Sequence, residues 1–386
     1  MKEEKEDEQL LYGNFMNDLQ LDVVVYSLQH MSITVYMSFK HLIKLRYFIS
    51  CVFELLEVES LARMCRKIVC IVFCALLIKN AQNIEDFTCK LSKIDSKLHK
   101  TNSYKCELQQ QHNQPEIHAK NIPQISNDQI TAISATSDAT SNHFTSKICE
   151  TFPNVLEIDF RNTKIETFEE ASFRKCKNLA VLMLSDNKIK EIPENLLNEN
   201  QNLEMLLMEN ILIDSVPRNF LKSQRKSLRK FHITSKSSYK VPENFFSLFQ
   251  NLEDLSIGNV VNFNFEWIKN LKSLKTLSIT SCKIHKIPNN SFNDLKKLEN
   301  LSLAENMLKI ICADSFGILP NLKHIDFRFN EITAIDEVLI DNTGVVTMDM
   351  RGNGCANDKS EGSAANCKET LKEMLKKCTE NDNGCQ

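Results

Sequence analysis

The stretch that decides the fold is Leu298-Glu299-Asn300-Leu301-Ser302-Leu303-Ala304-Glu305-Asn306. Apolar residues stand at its first, fourth and sixth positions, and an asparagine closes it at the ninth. The alternation Leu301-Ser302-Leu303 marks a short strand with one buried face. So short a strand cannot bury a core by itself, and the pattern has meaning only if it recurs. The first position returns as Val155, Leu179, Leu203, Leu228, Leu252, Leu274, Leu298, Leu322 and Val345, in steps of 24, 24, 25, 24, 22, 24, 24 and 23 residues. The fourth holds Ile158, Leu182, Leu206, Phe231, Leu255, Leu277, Leu301, Ile325 and Met348. The sixth holds Phe160, Leu184, Met208, Ile233, Ile257, Ile279, Leu303, Phe327 and Met350. Nine units in register predict an α/β solenoid, one strand per turn, with a parallel sheet along its concave face.

Two further columns complete the turn. A late Phe or Leu (Phe173, Leu197, Phe220, Phe246, Phe292, Phe316) closes the core from the convex side. At the ninth position Asn187, Asn306, Asn330 and Asn353 supply amides for backbone groups that would otherwise be buried unpaired, with Cys282 as a small substitute. Thr163, Ile211, Lys236 and Val260 depart from that column. Three consecutive units, from 203 to about 270, therefore lack the asparagine ladder, and local irregularity is expected there.

Composition narrows the function classes. The 386 residues carry 47 Lys plus Arg against 50 Asp plus Glu, a net charge of -3, which removes any global argument for nucleic-acid binding. Only 8 glycines occur, and the one G-x-G, Gly352-Asn353-Gly354, opens a cysteine-bearing segment and no helix, so phosphate-binding loops are not expected. The 14 cysteines include no C-x-x-C, so neither a structural metal nor a cofactor is expected. Cysteines that bracket a repeat array suggest stapled caps in an oxidising compartment.

The chain divides into five parts in this reading. Residues 1–63 are an extension of uncertain role. Residues 64–81 resemble a secretory signal: Met64-Cys65-Arg66-Lys67 is basic, and the apolar run 68–78 is too short to span a membrane. Three alternatives stay open, namely a true start at Met64, an uncleaved signal-anchor near 68–78 that leaves the protein on a membrane, and a small extra domain. Residues 82–148 form an N-terminal cap and linker, in which Cys89 and Cys106 bracket a loop and 109–147 is a degenerate coil or a loose connection. Closing such a loop is worth roughly 3 kcal/mol in the chain-entropy picture. Residues 149–354 hold the repeats, and 355–386 a second cap. There Cys367, Leu371, Met374, Leu375 and Cys378 share one helical face. Cys355 can bridge to Cys367 or Cys378, with Cys385 taking the other. Cys149 and Cys176 lie near the same side of adjacent coils and can pair, whereas Cys282 and Cys312 are expected to remain buried thiols.

The period, the Asn/Cys column and the Gly352-Asn353-Gly354-Cys355 flank resemble extracellular leucine-rich repeat proteins. The segment Tyr104-Lys105-Cys106-Glu107-Leu108 and the run Phe152-Pro153-Asn154-Val155 are similar to small secreted leucine-rich repeat proteins of insects. The resemblance covers about residues 85–385. It implies a curved solenoid that binds proteins or glycans, as Toll-like ectodomains and adhesion proteins do, and no catalytic residues. The chain departs from the better-known ectodomains in lacking their Cys-x-Cys flank and a later membrane span, so signalling through a membrane is not implied.

Outward strand positions would form the binding surface. Val181, Met183, Met205 and Leu207 make an apolar patch there, a composition that often marks an interface. His324, Asp326, Arg328, Asp349 and Arg351 make a mixed-charge patch whose opposite charges on adjacent strands are expected largely to neutralise one another. Lys222, Arg225, Lys226, Arg229 and Lys230 read as a solvated basic loop. Asn289-Asn290-Ser291 and Asn300-Leu301-Ser302 are glycosylation sequons in a secreted chain, and a glycan on Asn300 would push ligands toward the N-terminal half. His232 and His324 face outward but stand four units apart, too far to act as a catalytic pair. The expectation is a secreted, non-enzymatic module with a protein or glycan ligand on its concave face. A membrane-anchored or intracellular scaffold is the alternative. The oligomeric state is not legible.

Overall fold

In the computed structural model the described residues are 88–94, 98, 103–109, 127–135, 143–144, 146–169, 172–361 and 367–379. The signal-like segment and the extension before it lie outside them, as do Cys385 and the side chains of Cys89 and Cys367.

Each L-x-L segment becomes a strand because its in-pointing residues have only the neighbouring coil to bury against. The described residues open with β1 (Thr88–Lys93) and β2 (Tyr104–Gln109), an antiparallel pair, and then β3 (Ile130–Ala135). Next come β4 (His143–Phe144), helix α1 (Lys147–Thr151), β5 (Glu157–Asp159), β6 (Thr167–Phe168) and β7 (Val181–Met183). The middle holds β8 (Met205–Ile211), β9 (Lys230–Tyr239), β10 (Asp254–Val260) and β11 (Thr276–Thr280). The last third holds β12 (Asn300–Ser302), β13 (Ile310–Ile311), β14 (His324–Asp326), β15 (Ala334–Ile335), helix α2 (Val338–Asp341) and β16 (Thr347–Asp349). Strand β17 (Lys359–Glu361) and helix α3 (Cys367–Thr379) end it.

Thirteen strands form one sheet in the order β1-β2-β3-β5-β7-β8-β9-β10-β11-β12-β14-β16-β17. Pairing is parallel from β2 to β16 and antiparallel at both ends. The pairs β4/β6 and β13/β15 lie outside it. Strand β3 joins β2 to β5 and sets Ile133 opposite Ile158 in the fourth-position column. Residues 130–135 are thus a degenerate coil and not a loose connection, and the solenoid begins upstream of residue 149.

The first, fourth and sixth columns are at most 2% exposed from the unit at Val155 to that at Val345. Burying each such side chain contributes about 1.5–3 kcal/mol before chain entropy is set against it. The late Phe column is equally buried and packs ring against ring, Phe265 on Phe292 at 5.6 Å and Phe292 on Phe316 at 5.2 Å.

In eight of the nine units the chain leaves its strand at the eighth position through a left-handed residue. Asn162, Asp186, Asn210, Asn259, Ser281, Glu305, Phe329 and Gly352 all have positive φ. Asn and Gly tolerate this conformation best. Immediately beyond it the ladder works as its residue type requires. The Asn306 amide donates to the carbonyls of Ile279 (2.8 Å) and Leu303 (2.9 Å), and its oxygen accepts from the N–H groups of Cys282 (3.0 Å) and Ile284 (3.2 Å). Asn187, Asn330 and Asn353 make equivalent bonds.

In the unit beginning at Leu228 the left-handed turn is missing. Its eighth residue, Ser235, has no positive φ, and β9 runs on to Tyr239, ten residues against three in β7 or β12. The expected irregularity between 203 and 270 takes the form of lengthened strands, with register shifts after Met208 and Gly258.

Disulfides hold both flanks. Cys149 on α1 bonds to Cys176 one coil on, and Cys355 bonds to Cys378 on α3. That choice fits the helix, whose Leu371, Leu375 and Cys378 are fully buried against the last coil. Cys106 in the N-terminal hairpin is also disulfide-bonded. The expectation of a buried thiol fails for Cys312, which is disulfide-bonded. It directly follows β13, whose partner β15 packs against α3, so it lies beside the cysteine-bearing cap. Cys282, inside the array, is the free thiol among the described residues.

Candidate functional site

The concave face is built from outward strand positions, and parallel pairing puts equivalent residues side by side. Val181 stands opposite Met205 and Met183 opposite Leu207, so the four apolar residues form a block two strands wide. All four are half-buried. Glu157 and Asp159 flank the block on β5, and Lys230 and His232 flank it on β9.

His232 is held from both sides. Its Nδ1 lies 3.3 Å from a Glu209 oxygen and its Nε2 2.9 Å from Asp254, while Lys230 Nζ lies 2.7 Å from the other Asp254 oxygen. Burial favours the neutral ring, but hydrogen bonds to Asp254 and Glu209 outweigh it and hold the imidazolium above the ordinary histidine value. The bond from His232 in turn holds Glu209 below the usual carboxylate range against its partial burial. Ser256 stands opposite His232 on β10. With both ring nitrogens engaged by carboxylates, the imidazole has no lone pair with which to activate that hydroxyl. Nor is Cys282 a ready nucleophile, since burial pushes its thiol up to about 11. This cluster is an ion-pair network beside an apolar patch. Its members occupy the seventh, fifth and third positions of successive units, a diagonal that the column alignment contains but that pairwise reading of histidines overlooks.

Near the C-terminal end His324, Asp326, Arg328, Asp349 and Arg351 line a cavity of about 400 Å³, bounded also by Lys359 of β17. Neutralisation here runs mainly along each strand and not across adjacent ones. Asp326 takes Arg328 through Nε (2.9 Å) and Nη2 (2.8 Å), and Asp349 takes Arg351 through Nε (3.0 Å) and Nη2 (2.6 Å). The only cross-strand member of these pairs among the described residues is Arg328 Nε to Asp349, at 3.5 Å. Asp159 and Arg161 repeat the same fork at the other end of the array. Burial raises the Asp326 carboxyl, but the Arg328 bonds outweigh it and hold it below the usual range. Asp349 is itself buried, with its oxygens turned to the two arginines. The guanidinium groups remain part-exposed and fixed in orientation, and His324 Nδ1 lies 2.7 Å from the Thr347 hydroxyl.

The two patches are separate surfaces of one sheet, at β7–β8 and at β14–β16. Asn300 lines the C-terminal cavity half-buried, and Asn289 is exposed away from it. Of the basic run, Arg229 is paired with Glu253 and Lys230 with Asp254. A second, convex-side ladder escaped the sequence reading. Asn200 donates to the carbonyls of Phe173 and Cys176, and Gln224 to those of Leu197 and Asn200, the two residues standing one period apart.

Parallel single-strand coils, the left-handed eighth residue and the asparagine ladder together define a leucine-rich repeat solenoid. The leucine rich repeat family model matches residues 153–212 and 272–332, two stretches of the array that carry the repeat. The unmatched interval coincides with the lengthened strands. Among solved structures it is similar to a chain of the Drosophila Toll–Spatzle complex, at 21% identity and a TM-score of 0.50, over 58% of this chain and 30% of that one. It is also similar to the APL1 leucine-rich repeat domain, at 15% identity and 0.43 over 65% of each chain. A chain from the octameric Latrophilin 3, Unc5D and FLRT2 complex gives 17% identity and 0.44, over 56% of this chain and 69% of that one. This chain therefore spans less than a third of the matched chain of the Toll–Spatzle complex. The search of curated proteins gave no match.

Proposed function

We propose that the protein is an extracellular, non-enzymatic binding module that takes a protein partner on its concave face. The observation that carries this reading is the block Val181, Met183, Met205 and Leu207. Four apolar side chains occupy strand positions that face away from the core, and charged residues frame them on both neighbouring strands. Such a patch gains from being covered, at roughly 25 cal/mol per Å² of apolar surface removed from water. The fixed arginines Arg328 and Arg351, with His324, offer a second anchor for acidic groups of the same partner. Asp326 and Asp349 position those arginines and do not themselves meet the ligand.

The disulfides support an oxidising compartment, and the basic-apolar segment 64–81 supports delivery there, with 1–63 removed or never made. We place one cap before the coil at 130–135 and the other at 355–386, and read Asn289 and Asn300 as glycosylated. Among the described residues no helix is long and apolar enough to cross a membrane. The competing reading, an intracellular scaffold, requires the same cysteines to be reduced.

The test expresses the tagged full chain in a secreting cell and captures its partner from the surrounding medium by crosslinking. Met183→Asp with Leu207→Asp should abolish capture while the protein still leaves the cell with its thiols blocked. Unchanged capture by that variant overturns the concave-face reading. A cell-retained product with titratable cap cysteines overturns the extracellular one.

A further inference from the structure

Away from the concave face, a larger cavity of about 730 Å³ opens where the chain leaves β9, β10 and β11. Its origin is visible in the spacing. The unit from Leu252 to Leu274 spans 22 residues, the shortest step in the array, while the unit before it carries the ten-residue strand. A short coil between two longer ones leaves a notch that no repeat residue fills. Where three other coils carry an I-x-x-I/V-Pro run (Ile189 to Pro193, Ile213 to Pro217 and Ile284 to Pro288), this one carries Phe263, Phe265 and Trp267.

The lining is sorted by chemistry. Val261, Phe263, Ile284 and Pro288 give apolar walls, and Val261, directly after the buried end of β10, is 38% exposed. Lys283, His285 and Lys286 of the next coil stand exposed at the rim. No carboxylate lines the cavity, and none of these three side chains has an ion-pair partner among the described residues. Glu305 is bonded to the rim residue Ser281 at 2.7 Å. The cavity is a half-open cleft in which Ser238, Asn262, Asn264 and Ser281 interleave with the apolar walls, and its volume falls in the roughly 300–1,000 Å³ range of small-ligand sites. Unbalanced cations beside an apolar wall favour a ligand with an anionic head and a hydrocarbon body.

We propose that this lateral cavity is a binding site for an amphipathic anion of fatty-acid type, its carboxylate at Lys283 and Lys286 and its chain along Val261 and Phe263. The site lies off the concave face and does not rest on the function proposed above.

Trp267 makes the test direct. It is the chain's single tryptophan, and its ring lies 5.6 Å from that of Phe263 in the cavity wall. The full chain is titrated with parinarate below its micelle concentration, reading energy transfer from Trp267 to the polyene. Saturable transfer is expected, and the methyl ester of the probe should bind more weakly. Lys283→Gln with Lys286→Gln should weaken the acid about fivefold, the scale of two exposed charge contacts, and leave the ester unchanged. Val261→Asp should weaken both, and its exposed position lets the fold survive, which an unchanged melting temperature checks. Absence of saturable transfer in the unsubstituted protein overturns the proposal. So does equal binding of acid and ester, or transfer indifferent to Val261→Asp.

Discussion

The coils around Asn306 and those around Tyr239 solve the same problem by different means. Every coil must leave its strand and still satisfy the backbone carbonyl at its sixth position. In the regular half an asparagine one coil further on does this, as Asn306 reaches Ile279 and Asn330 reaches Leu303. In the middle the equivalent residue is Val260, which has nothing to donate. The carbonyl it would serve, that of Ile233, instead accepts from the Tyr239 hydroxyl at 2.9 Å, and Tyr239 is fully buried to do so. Tyr239 arrives there only because β9 continues past Ser235 without a left-handed turn. Ser235 meanwhile turns its own hydroxyl to the carbonyls of Ile211 and Ile213. The ladder is therefore one solution among at least two, and what is constant is that buried backbone groups find partners.

The contrast is broken most severely at Asn306. Replacing it by alanine removes the side-chain partner of the Ile279 carbonyl and of the Cys282 and Ile284 N–H groups, while Asn330 still serves Leu303, and a loss of about 3 kcal/mol is expected in urea denaturation. A loss below 1 kcal/mol would mean that regular coils do not depend on the ladder.

Val260→Asn places the ladder residue back in the middle. Tyr239 already occupies the carbonyl it would use, so the new amide is buried without a full set of partners, at a cost of about 2 kcal/mol. Tyr239→Phe alone should cost about 1 kcal/mol, one neutral hydrogen bond. Combined, the two should be less harmful than their sum, because the asparagine then inherits the freed carbonyl, and a coupling of about 1 kcal/mol is expected. Strict additivity would show that tyrosine and asparagine do not compete for the same acceptor.

The comparison also separates what the sequence could tell from what it could not. The columns were legible because each position is buried on every coil, so periodicity reports it directly. The absence of Asn at Ile211, Lys236 and Val260 was legible too, but its remedy was not. Tyr239 lies three residues past the ladder column and works by reaching back, so no alignment on that column reveals it. Ile130–Ala135 stayed open between a degenerate coil and a loose connection because only Ile130 and Ile133 hold the pattern there, and Cys312 was misjudged because β15, the partner of β13, meets the α3 cap only in space. At the candidate site the apolar block followed from the period alone. The Asp326–Arg328 and Asp349–Arg351 forks needed side-chain geometry, since opposite charges two residues apart and one strand apart are equally close in a column alignment.

The smallest expected effect belongs to a cluster within the middle region, where the ladderless strands carry His232 between Glu209 and Asp254. Its histidine value is raised, so its contribution to stability is complete below the unfolded value of about 6.5 and is lost as pH rises through the folded one. Glu209 and Asp254 are lowered, so theirs is present above the ordinary carboxylate range, near 4, and is lost as pH falls through their folded values. Lys230 shares Asp254 and keeps part of the network paired at high pH. The full arrangement therefore stabilises the concave face between roughly pH 4.5 and 6.5 and weakens above it. His232→Gln should lower the melting temperature at pH 5.5 and have a smaller effect at pH 8, with a difference below about 1 kcal/mol because the pairs are part-exposed. Equal destabilisation at both values would mean that the ring is uncharged in the folded protein and that the carboxylates beside the apolar block are held by Lys230 alone.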